Sequence, residues 1–216
     1  MSEKYCDEHD EEFGSFRKKL CAFLGVLVLL ILITIFLIWV ILRPSKPRVV
    51  LQDATIYSFS LSSSLTGPNF LNATIQVTIA CRNSNDRIGI LYERAEVVAL
   101  YKHQQITLPT ALPTGYQSPN DDVIWSPFLF SVNSPMAPYL AAQLQQEQAM
   151  QLVRLQIKLN GRIKWKVGAW MSGIYHLYVN CPALIAFGSG RSGVVVGEAM
   201  KVELASGCDV DVGLGG

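Results

Sequence analysis

One apolar run near the N-terminus constrains this chain more than any other feature. Residues 20–42 (LCAFLGVLVLLILITIFLIWVIL) contain no charged side chain, and Thr34 carries the only hydroxyl group. At a rise of 1.5 Å per residue, a helix over this run is about 34 Å long, and the hydrocarbon core of a bilayer is about 30 Å thick. The sequence therefore predicts a transmembrane helix over residues 20–42.

A cleaved signal peptide is the alternative interpretation of this run. The apolar region of a signal peptide is usually about 7–15 residues long and is followed by a cleavage site between small residues. Here the run ends in Trp39-Val40-Ile41-Leu42-Arg43-Pro44, which contains no such site and places an aromatic ring at the expected membrane interface. We therefore expect an uncleaved anchor.

The charges that flank the run do not decide its orientation. The basic residues are Arg17, Lys18 and Lys19 before it and Arg43, Lys46 and Arg48 after it. An anchor near the N-terminus usually translocates a long domain that follows it, whatever the loop charge. Residues 1–19 carry six acidic and four basic side chains and are too short to fold alone. We expect a disordered cytosolic tail at 1–19 and a single-pass type II topology.

Residues after the span fit an oxidising, extracytosolic compartment. Asn72-Ala73-Thr74 is the only acceptor sequence for N-linked glycosylation, which makes Asn72 the predicted glycosylated residue. We expect a Cys181–Cys208 disulfide because both lie near the ends of the last predicted strands, whereas Cys81 lies on the buried face of an early strand. Closing a loop of about 27 residues stabilises a fold by roughly 3.5 kcal/mol in the chain-entropy model. Three free thiols remain the alternative.

The remainder of the chain has the pattern of an all-β domain. Short apolar runs alternate with turn residues, which is typical of a β-sandwich rather than of βαβ units. The predicted strands are 49–61, 71–82, 94–101, 123–132, 151–159, 162–167, 175–180 and 194–204, with one helix at 137–148. We expect an immunoglobulin-like or fibronectin-like β-sandwich with one short helix over residues 49–212, joined to the span by a linker at 43–48.

Two of these elements have a distinct apolar face. In the strand at 71–82 the apolar face consists of Ala73, Ile75, Val77, Ile79 and Cys81, and polar residues including Asn72 alternate with them. In the helix the apolar stripe consists of Tyr139, Leu140 and Leu144. The strand is therefore expected to bury one side and the helix to pack along a narrow line.

An Asn-Gly pair interrupts the basic segment 153–167 (VRLQIKLNGRIKWKV) and predicts a hairpin. A two-residue loop would mix apolar and charged side chains on each face, so we predict a three-residue loop, Leu159-Asn160-Gly161, with Gly161 at the bulge position. This register pairs Ile157 with Ile163, Leu155 with Trp165 and Val153 with Val167. The opposite face then carries Arg154, Lys158, Arg162, Lys164 and Lys166.

The sequence leaves two interpretations of this basic face open. The five bases can bind an acidic polymer or a lipid headgroup. Alternatively, they form an ordinary solvated face in which Lys and Arg protect a sheet edge from pairing with other chains. The formal net charge of the chain is only +1, which lacks the basic density of a nucleic-acid binder, and we expect no nucleic-acid partner.

No combination of residues predicts catalysis, a cofactor or a metal site. Residues 188–193 (GSGRSG) match the spacing of a dinucleotide-binding loop, but the β-type run at 194–196 follows where a helix is required. The carboxylates of Asp121-Asp122 lie in a loop, and Glu198 and Glu203 are isolated. The scattered histidines are His9, His103 and His176. We therefore expect a protein that is not an enzyme.

Several short motifs together resemble one plant family. They are Asn83–Tyr92 (NSNDRIGILY), 161–168 (GRIKWKVG), 179–182 (VNCP) and 208–212 (CDVDV). With the acidic tail and single anchor, they make nearly the whole chain similar to the harpin-induced-like / non-race-specific disease resistance-like proteins, which carry a late embryogenesis abundant group 2 domain. The chain departs from that family's usual Asn-Pro-Asn at Asn83-Ser84-Asn85, and 116–120 (YQSPN) resembles a drifted Tyr-Gln-Gly loop.

The resemblance implies a plasma-membrane protein whose β domain faces the cell wall and acts in pathogen defence or stress responses. On this basis we expect a binding, adhesion or signalling-associated module, with a wall polysaccharide or another membrane protein as its partner. The alternative is a stress-protective membrane stabiliser without a specific ligand. A sandwich can present any of several loops, so the resemblance does not identify the residues that bind.

The topology gives a direct prediction. Protease added outside intact, sealed cells should digest the domain after the span and spare the N-terminal tail, because only the former is exposed. Glycosidase treatment should also reduce the apparent mass, and Asn72→Gln should abolish that shift. Digestion of the tail with protection of the domain would reverse the orientation.

Overall fold

The computed structural model describes residues 19–36, 44–62, 68–150, 152–186, 200–201 and 206–214. The chain divides into two compact units, Met1–Arg43 and Pro44–Gly216. Within the first unit, helix α1 covers Lys19–Phe36 with a mean hydropathy of 2.8, and none of it is buried. Its 18 residues make about 27 Å of helix, which is long and apolar enough to cross a membrane. The last residues of the predicted span, 37–42, lie outside the described part.

The second unit consists of fourteen described strands and one helix. The strands are β1 Arg48–Ser62, β2 Asn69–Arg82, β3 Gly89–Tyr101, β4 Gln104–Gln105, β5 Thr110–Ala111, β6 Gly115–Gln117, β7 Asp122–Trp125, β8 Phe128–Met136, β9 Leu152–Val167, β10 Trp170–Met171, β11 Tyr175–Ala186, β12 Met200–Lys201, β13 Ser206–Gly207 and β14 Asp209–Leu214. Helix α2 covers Pro138–Ala149. The predicted all-β class with one short helix is confirmed.

The strands form two antiparallel sheets. In the first sheet the order is β12-β1-β2-β7, with β13 also paired to β1 and β8 to β2. In the second sheet the order is β14-β11-β9-β3-β4, with β10 paired to β9 and both β5 and β6 to β3. Apolar side chains from both sheets form one core, so the arrangement is the predicted β-sandwich.

Strand β2 shows why the sequence folds in this way. Its burial alternates at every residue, and Leu71, Ile75 and Val77 are fully buried on the same side. The predicted apolar face of this strand is confirmed, including Cys81, which is buried and free. Because side chains in a strand alternate between faces, this regular pattern fixes the register of β2 against β1 and β8.

The predicted hairpin at Leu159-Asn160-Gly161 is wrong. Strand β9 continues through these residues without a turn, and its odd-numbered residues from Val153 to Trp165 are all buried. The proposed pairs joined odd-numbered residues, so the apolar face was correct although the turn was not. Neighbouring strands satisfy the backbone here, since Asn160 pairs with Tyr178 on one side and with Glu96 on the other.

Gly161 is required by a bulge in the neighbouring strand rather than by a turn. The register of β3 against β9 shifts between Tyr92 and Arg94, which leaves Glu93 as an extra residue. A Cβ atom on Gly161 would lie 3.1 Å from the backbone oxygen of Arg94 and 3.7 Å from the Cβ of Ala95. Glycine within a strand commonly marks such a close approach of another backbone.

Other predicted strands differ from the structure in their ends. The predicted strand at 123–132 is two strands, β7 and β8, separated by Ser126 and Pro127. Strand β11 continues beyond the predicted end to Ala186 and includes Pro182, which pairs with Gln156 of β9. Proline is tolerated there because β14 pairs with β11 only as far as Asn180, so Pro182 lies at an edge. Most of the predicted strand at 194–204 lies outside the described residues.

Helix α2 confirms the predicted helix with one correction. It begins at Pro138, and Leu140, Ala141 and Leu144 are buried. Tyr139, which was assigned to the apolar stripe, is exposed. At about 100° per residue, Leu140, Ala141 and Leu144 lie within one arc of about 100°, and Tyr139 points about 100° or more away from each of them.

The C-terminal segment crosses between the sheets at a disulfide. Strand β13 belongs to the first sheet and β14 to the second, and Cys208 lies between them. The backbone N–H of Cys208 donates to the carbonyl of Val49 at 3.0 Å, while its sulfur is bonded to Cys181 of β11. The structure thus contains the cysteine pair that the sequence predicts, and the bridge fixes the crossing point.

The predicted linker at 43–48 is largely part of the domain. From Pro44 the chain belongs to the second unit, and Arg48 begins β1. The backbone N–H and the hydroxyl of Ser45 both donate to Oδ1 of Asn85 at 2.8 Å. Lys46 forms an ion pair of 2.8 Å with Asp211. These contacts hold the segment against the sandwich.

The role of Gly161 can be tested by substitution. We expect Gly161→Val to lower the free energy of unfolding by about 1–3 kcal/mol, because the added atoms meet the backbone of the β3 bulge. Gly213→Val is the matched control in β14, where no heavy atom lies within 4 Å of the added Cβ. Thermal unfolding of both purified full-length variants measures the difference. Equal melting temperatures for the two would contradict this account of the bulge.

Candidate functional site

The outer face of the second sheet carries the candidate site. The even-numbered residues of β9 point away from the core, and they include all five predicted bases, namely Arg154, Lys158, Arg162, Lys164 and Lys166. Strand β9 lies between β11 and β3, so it is not a sheet edge. The interpretation that these bases protect an edge from pairing is therefore wrong.

Two of the five bases are engaged by neighbouring side chains. The ammonium of Lys164 pairs with the carboxylate of Glu93, which the β3 bulge places on this face. Lys166 lies over the ring of Tyr116 at 5.0 Å from its centroid. Both contacts restrain a flexible side chain, and the Glu93 carboxylate also offsets the charge of Lys164.

The other three bases form a row along the strand. Among the residues that the structure describes, Arg154, Lys158 and Arg162 have no carboxylate within 4.0 Å of their charged nitrogens. They are four residues apart, which corresponds to about 13 Å between neighbours along an extended strand. A row of cations at this spacing can contact successive charges of an elongated acidic ligand.

A shallow depression of about 260 Å³ opens on this face around Arg162. Its lining consists of Arg94, Glu96, Asn160, Gly161, Arg162, His176 and Tyr178. The guanidinium of Arg94 is held by Glu96, whereas that of Arg162 offers a planar set of donors that matches a carboxylate. The rings of His176 and Tyr178 are stacked at 6.1 Å with an interplanar angle of 17°.

The lining combines charge with a ring surface. Tyr178 is exposed, so it presents both an apolar ring and a hydroxyl group to a ligand. Acidic residues border this region on β14, where Asp209 pairs with Asn180 and Asp211 with Tyr178. Lys46 donates to Asp211 and holds the pKa of that carboxyl below its usual value, so Asp211 remains charged and already paired.

Sequence reasoning found the β9 bases but missed their neighbours. Arg94 and Glu96 lie on β3, and His176 and Tyr178 lie on β11. The structure brings them together because Arg162 pairs with Arg94 on one side and with His176 on the other. No local pattern in the sequence records such pairing, since it joins Arg162 to a residue 68 positions before it and to one 14 positions after it.

The Asn83-Ser84-Asn85 motif belongs to the fold. The side-chain amide of Asn83 donates to the carbonyls of Ile88 and Ser118 at 2.8 and 3.0 Å, and its oxygen accepts from Asn85. Both asparagines are buried. The motif therefore holds the β2–β3 loop and Ser45 in place, and its side chains are not available to a ligand.

A second buried network involves the free cysteine. The Tyr92 hydroxyl donates to Oε1 of Gln117 at 2.9 Å, so the Cys81 thiol, 3.1 Å from the same hydroxyl, donates to it. Gln117 in turn donates to the backbone oxygens of Cys81 and Asp121. Burial raises the pKa of the Cys81 thiol to about 11 and also raises the pKa of Tyr92. The thiol stays protonated at neutral pH and is not a nucleophile.

The remaining candidates from the sequence do not converge. Asp122 forms an exposed ion pair with Arg82, and His103 lies in the β3–β4 turn with a positive φ of 71°. Over the described ranges, no group of three or more His, Cys, Asp or Glu side chains is arranged to hold a metal ion. The dinucleotide-like loop at 188–193 and the residues Glu198, Glu203 and His9 lie outside those ranges.

Asn72 lies on the outer face of the first sheet. It is partly exposed, and its side-chain amide donates to Oδ1 of Asn133 at 3.2 Å while its own Oδ1 accepts from the backbone N–H of Asn133 at 2.7 Å. Asn133 has a positive φ of 45° next to a register shift between β2 and β8. Glycosylation at Asn72 stays a prediction.

Three similar proteins of known name all belong to one family. NDR1/HIN1-like protein 12 of Arabidopsis thaliana is 45% identical over 214 residues, which cover 98% of this chain and all of that protein. NDR1/HIN1-like protein 1 of the same plant is 42% identical over 210 residues, covering 97% of this chain and all of the relative. NDR1/HIN1-like protein 26 is 38% identical over 158 residues, or 73% of each chain.

Other comparisons add less. No family model matches the sequence. A protein from Archaeoglobus fulgidus of known crystal structure aligns with 64% of this chain and 98% of its own, with a TM-score of 0.35 and 9% identity. Two of the relatives from Arabidopsis thaliana match over nearly the whole length at more than 40% identity, and the motifs of the sequence occur in the folded domain described above. This chain belongs to the NDR1/HIN1-like family.

Proposed function

We propose that this protein is a membrane-anchored binding module of plant defence and stress responses, and that the outer face of its second sheet engages an acidic ligand outside the cytosol. The family supports the association with defence and stress. The apolar helix α1 supports a membrane anchor, with the domain on the outer side of the plasma membrane in a type II arrangement. The ligand class proposed is an acidic wall polysaccharide.

The single observation that carries this proposal is the row of bases on a central strand. A solvated face normally mixes charges of both signs, and an edge strand carries Lys to prevent pairing. The edge reason does not hold for Lys158 and Arg162, which lie between two paired strands, while Arg154 lies just beyond the last β3–β9 pair. None of the three has an acidic partner among the described residues. Like charges on one face repel one another, so binding a ligand of opposite charge reduces this electrostatic repulsion.

The depression around Arg162 provides a site for one acidic unit within that row. The Arg162 guanidinium can form two parallel hydrogen bonds with a carboxylate, and Tyr178 supplies an exposed ring beside it. Lys158 and Arg154, which lie four and eight residues before Arg162 on β9, extend the contact along the polymer. Affinity then comes from several modest contacts, and it depends on salt because all of them are exposed.

A protein partner in the membrane and a ligand-free role in protecting membranes are the other functions considered. A stabiliser that acts through solvation is usually a polar, disordered chain, whereas this domain has a large apolar core and a buried polar network. A binding module therefore fits the fold better. A membrane-protein partner would use the exposed loops instead. Neutralising the bases on β9, combined with proximity labelling, separates that case from binding to an acidic polymer.

The binding proposal predicts a response to neutralising the row. The full-length protein in phosphatidylcholine nanodiscs should bind polygalacturonate saturably and more weakly as salt is raised. Lys158→Gln together with Arg162→Gln should lower the affinity at least about tenfold, equivalent to about 1.4 kcal/mol, and flatten the salt dependence. Binding is measured by titration at several salt concentrations.

The matched control removes the same charge elsewhere. Arg48→Gln together with Arg87→Gln neutralises two exposed bases outside the β9 face, and this variant should change the affinity by less than about twofold. Equal losses of affinity in the two variants would mean that binding depends only on the net charge of the protein. If neither variant changes binding while proximity labelling finds a specific membrane protein, the basic face is solvated surface and the loops carry the interaction.

A further inference from the structure

The chain from the proposed anchor joins the sandwich at one identifiable end. Ser45 is hydrogen-bonded to Asn85 in the β2–β3 loop, and Lys46 is paired with Asp211 near the end of β14. The strands are antiparallel, so this end also contains the last residues of β9 and β14, the short strand β10 and the first residues of β11. We call this end of the domain the tether end.

The tether end exposes four large apolar side chains. Trp170 is 63% exposed, Met171 51%, Ile174 40% and Leu214 79%. Exposed apolar residues scattered singly are ordinary, but four grouped at one end of a domain, one of them a tryptophan, mark an interaction surface. Their grouping follows from the pairing of Trp170 with Val167 and of Leu214 with Tyr175.

The backbone that presents Trp170 is well fixed. Strands β9 and β10 form a tight hairpin around Gly168, whose φ of +57° suits a turn. The Ser172 hydroxyl accepts from the backbone N–H of Trp165 at 2.9 Å, and the N–H of Ser172 donates to the carbonyl of Trp165 at 2.9 Å. The hairpin therefore holds the tryptophan ring in place while leaving most of its surface exposed.

Chain length indicates what that partner is. The predicted span ends at Leu42, and Ser45 is already held against the domain, so three peptide units separate the two. Three residues reach at most about 10 Å. The headgroup region on each side of a bilayer is roughly 5–8 Å thick, so the tether end stays within a few Å of the lipid surface.

We propose that Trp170, Met171, Ile174 and Leu214 rest in the interfacial region of the membrane that holds the anchor. This inference rests on the membrane anchoring proposed above. Tryptophan favours the headgroup level, where its ring is in an apolar setting and its N–H in a polar one. Lys166, which pairs with Met171, lies at the same end and suits contact with lipid phosphates.

Such docking has a consequence for the binding face. A domain held only by a flexible chain rotates freely, whereas one held by the anchor and by a second contact at the tether end has a fixed orientation. A fixed orientation of the domain also fixes the direction in which the row of bases on β9 faces. Docking therefore supports binding without being needed for it.

The test uses tryptophan fluorescence of the full-length protein in phosphatidylcholine nanodiscs. Trp39→Phe removes the tryptophan of the predicted span, and Trp125 and Trp165 are buried. The difference between Trp39→Phe and Trp39→Phe/Trp170→Phe isolates the signal of Trp170. The control is Trp39→Phe/Trp170→Phe/Tyr139→Trp, because Tyr139 is 67% exposed on α2, at the opposite end of β9.

Lipids brominated near the carbonyl end of the acyl chain should quench Trp170 and leave the Tyr139→Trp control unaffected. Aqueous iodide should quench Trp170 at least about threefold less than that control. If iodide quenches both equally and brominated lipid quenches neither, the inference is overturned.

The anchor itself is checked separately, by flotation of the wild-type protein with lipid vesicles and, in the Trp170→Phe variant, by quenching of Trp39 with lipids brominated near the carbonyl end of the acyl chain. Failure of both overturns the anchor and this inference together. A protein that floats but keeps Trp170 fully accessible to iodide overturns the inference alone. A protein that floats with Trp170 quenched by brominated lipid supports both.

Discussion

The structure depends on the unbroken alternation of strand β9. Every odd-numbered residue from Val153 to Trp165 is buried, and the even-numbered residues carry the bases. Because β9 pairs with β3 and β11 along most of its length, its register determines which side chains of three strands share each face. The apolar face builds the core of the sandwich, and the same register assembles Arg162, Arg94 and His176 outside it.

The bulge in β3 links the fold to the candidate site. It places Glu93 and Arg94 together on the outer face, and it brings the Arg94 carbonyl so close to β9 that a larger residue at position 161 would require the backbone to shift. The C-terminal crossing has a similar double role, because the Cys181–Cys208 bridge attaches β14 to the edge of the sheet that carries the site. The acidic border of the face depends on that attachment.

The sequence predicted local features well and pairing poorly. The alternation in β2 and β9, the core of helix α2 and the Cys181–Cys208 pair follow from residue type and spacing. Asn160-Gly161 gave a false turn, because a glycine demanded by a neighbouring strand looks the same in sequence as one demanded by a hairpin. The depression was not predictable, since its residues come from β3, β9 and β11 and meet only through sheet pairing.

The central claim is that the β9 face, and not the loops, contacts an acidic polymer. Carbodiimide coupling of an oligomer of galacturonic acid to the full-length protein in nanodiscs, followed by peptide mass spectrometry, locates the contact directly. The account predicts adducts at Lys158, with fewer at Lys164 and Lys166, which have partners of their own. It also predicts little coupling at Lys102, which is paired with Glu147 at the opposite end of the sandwich. Adducts spread evenly over all lysines, or absent from Lys158, would contradict it.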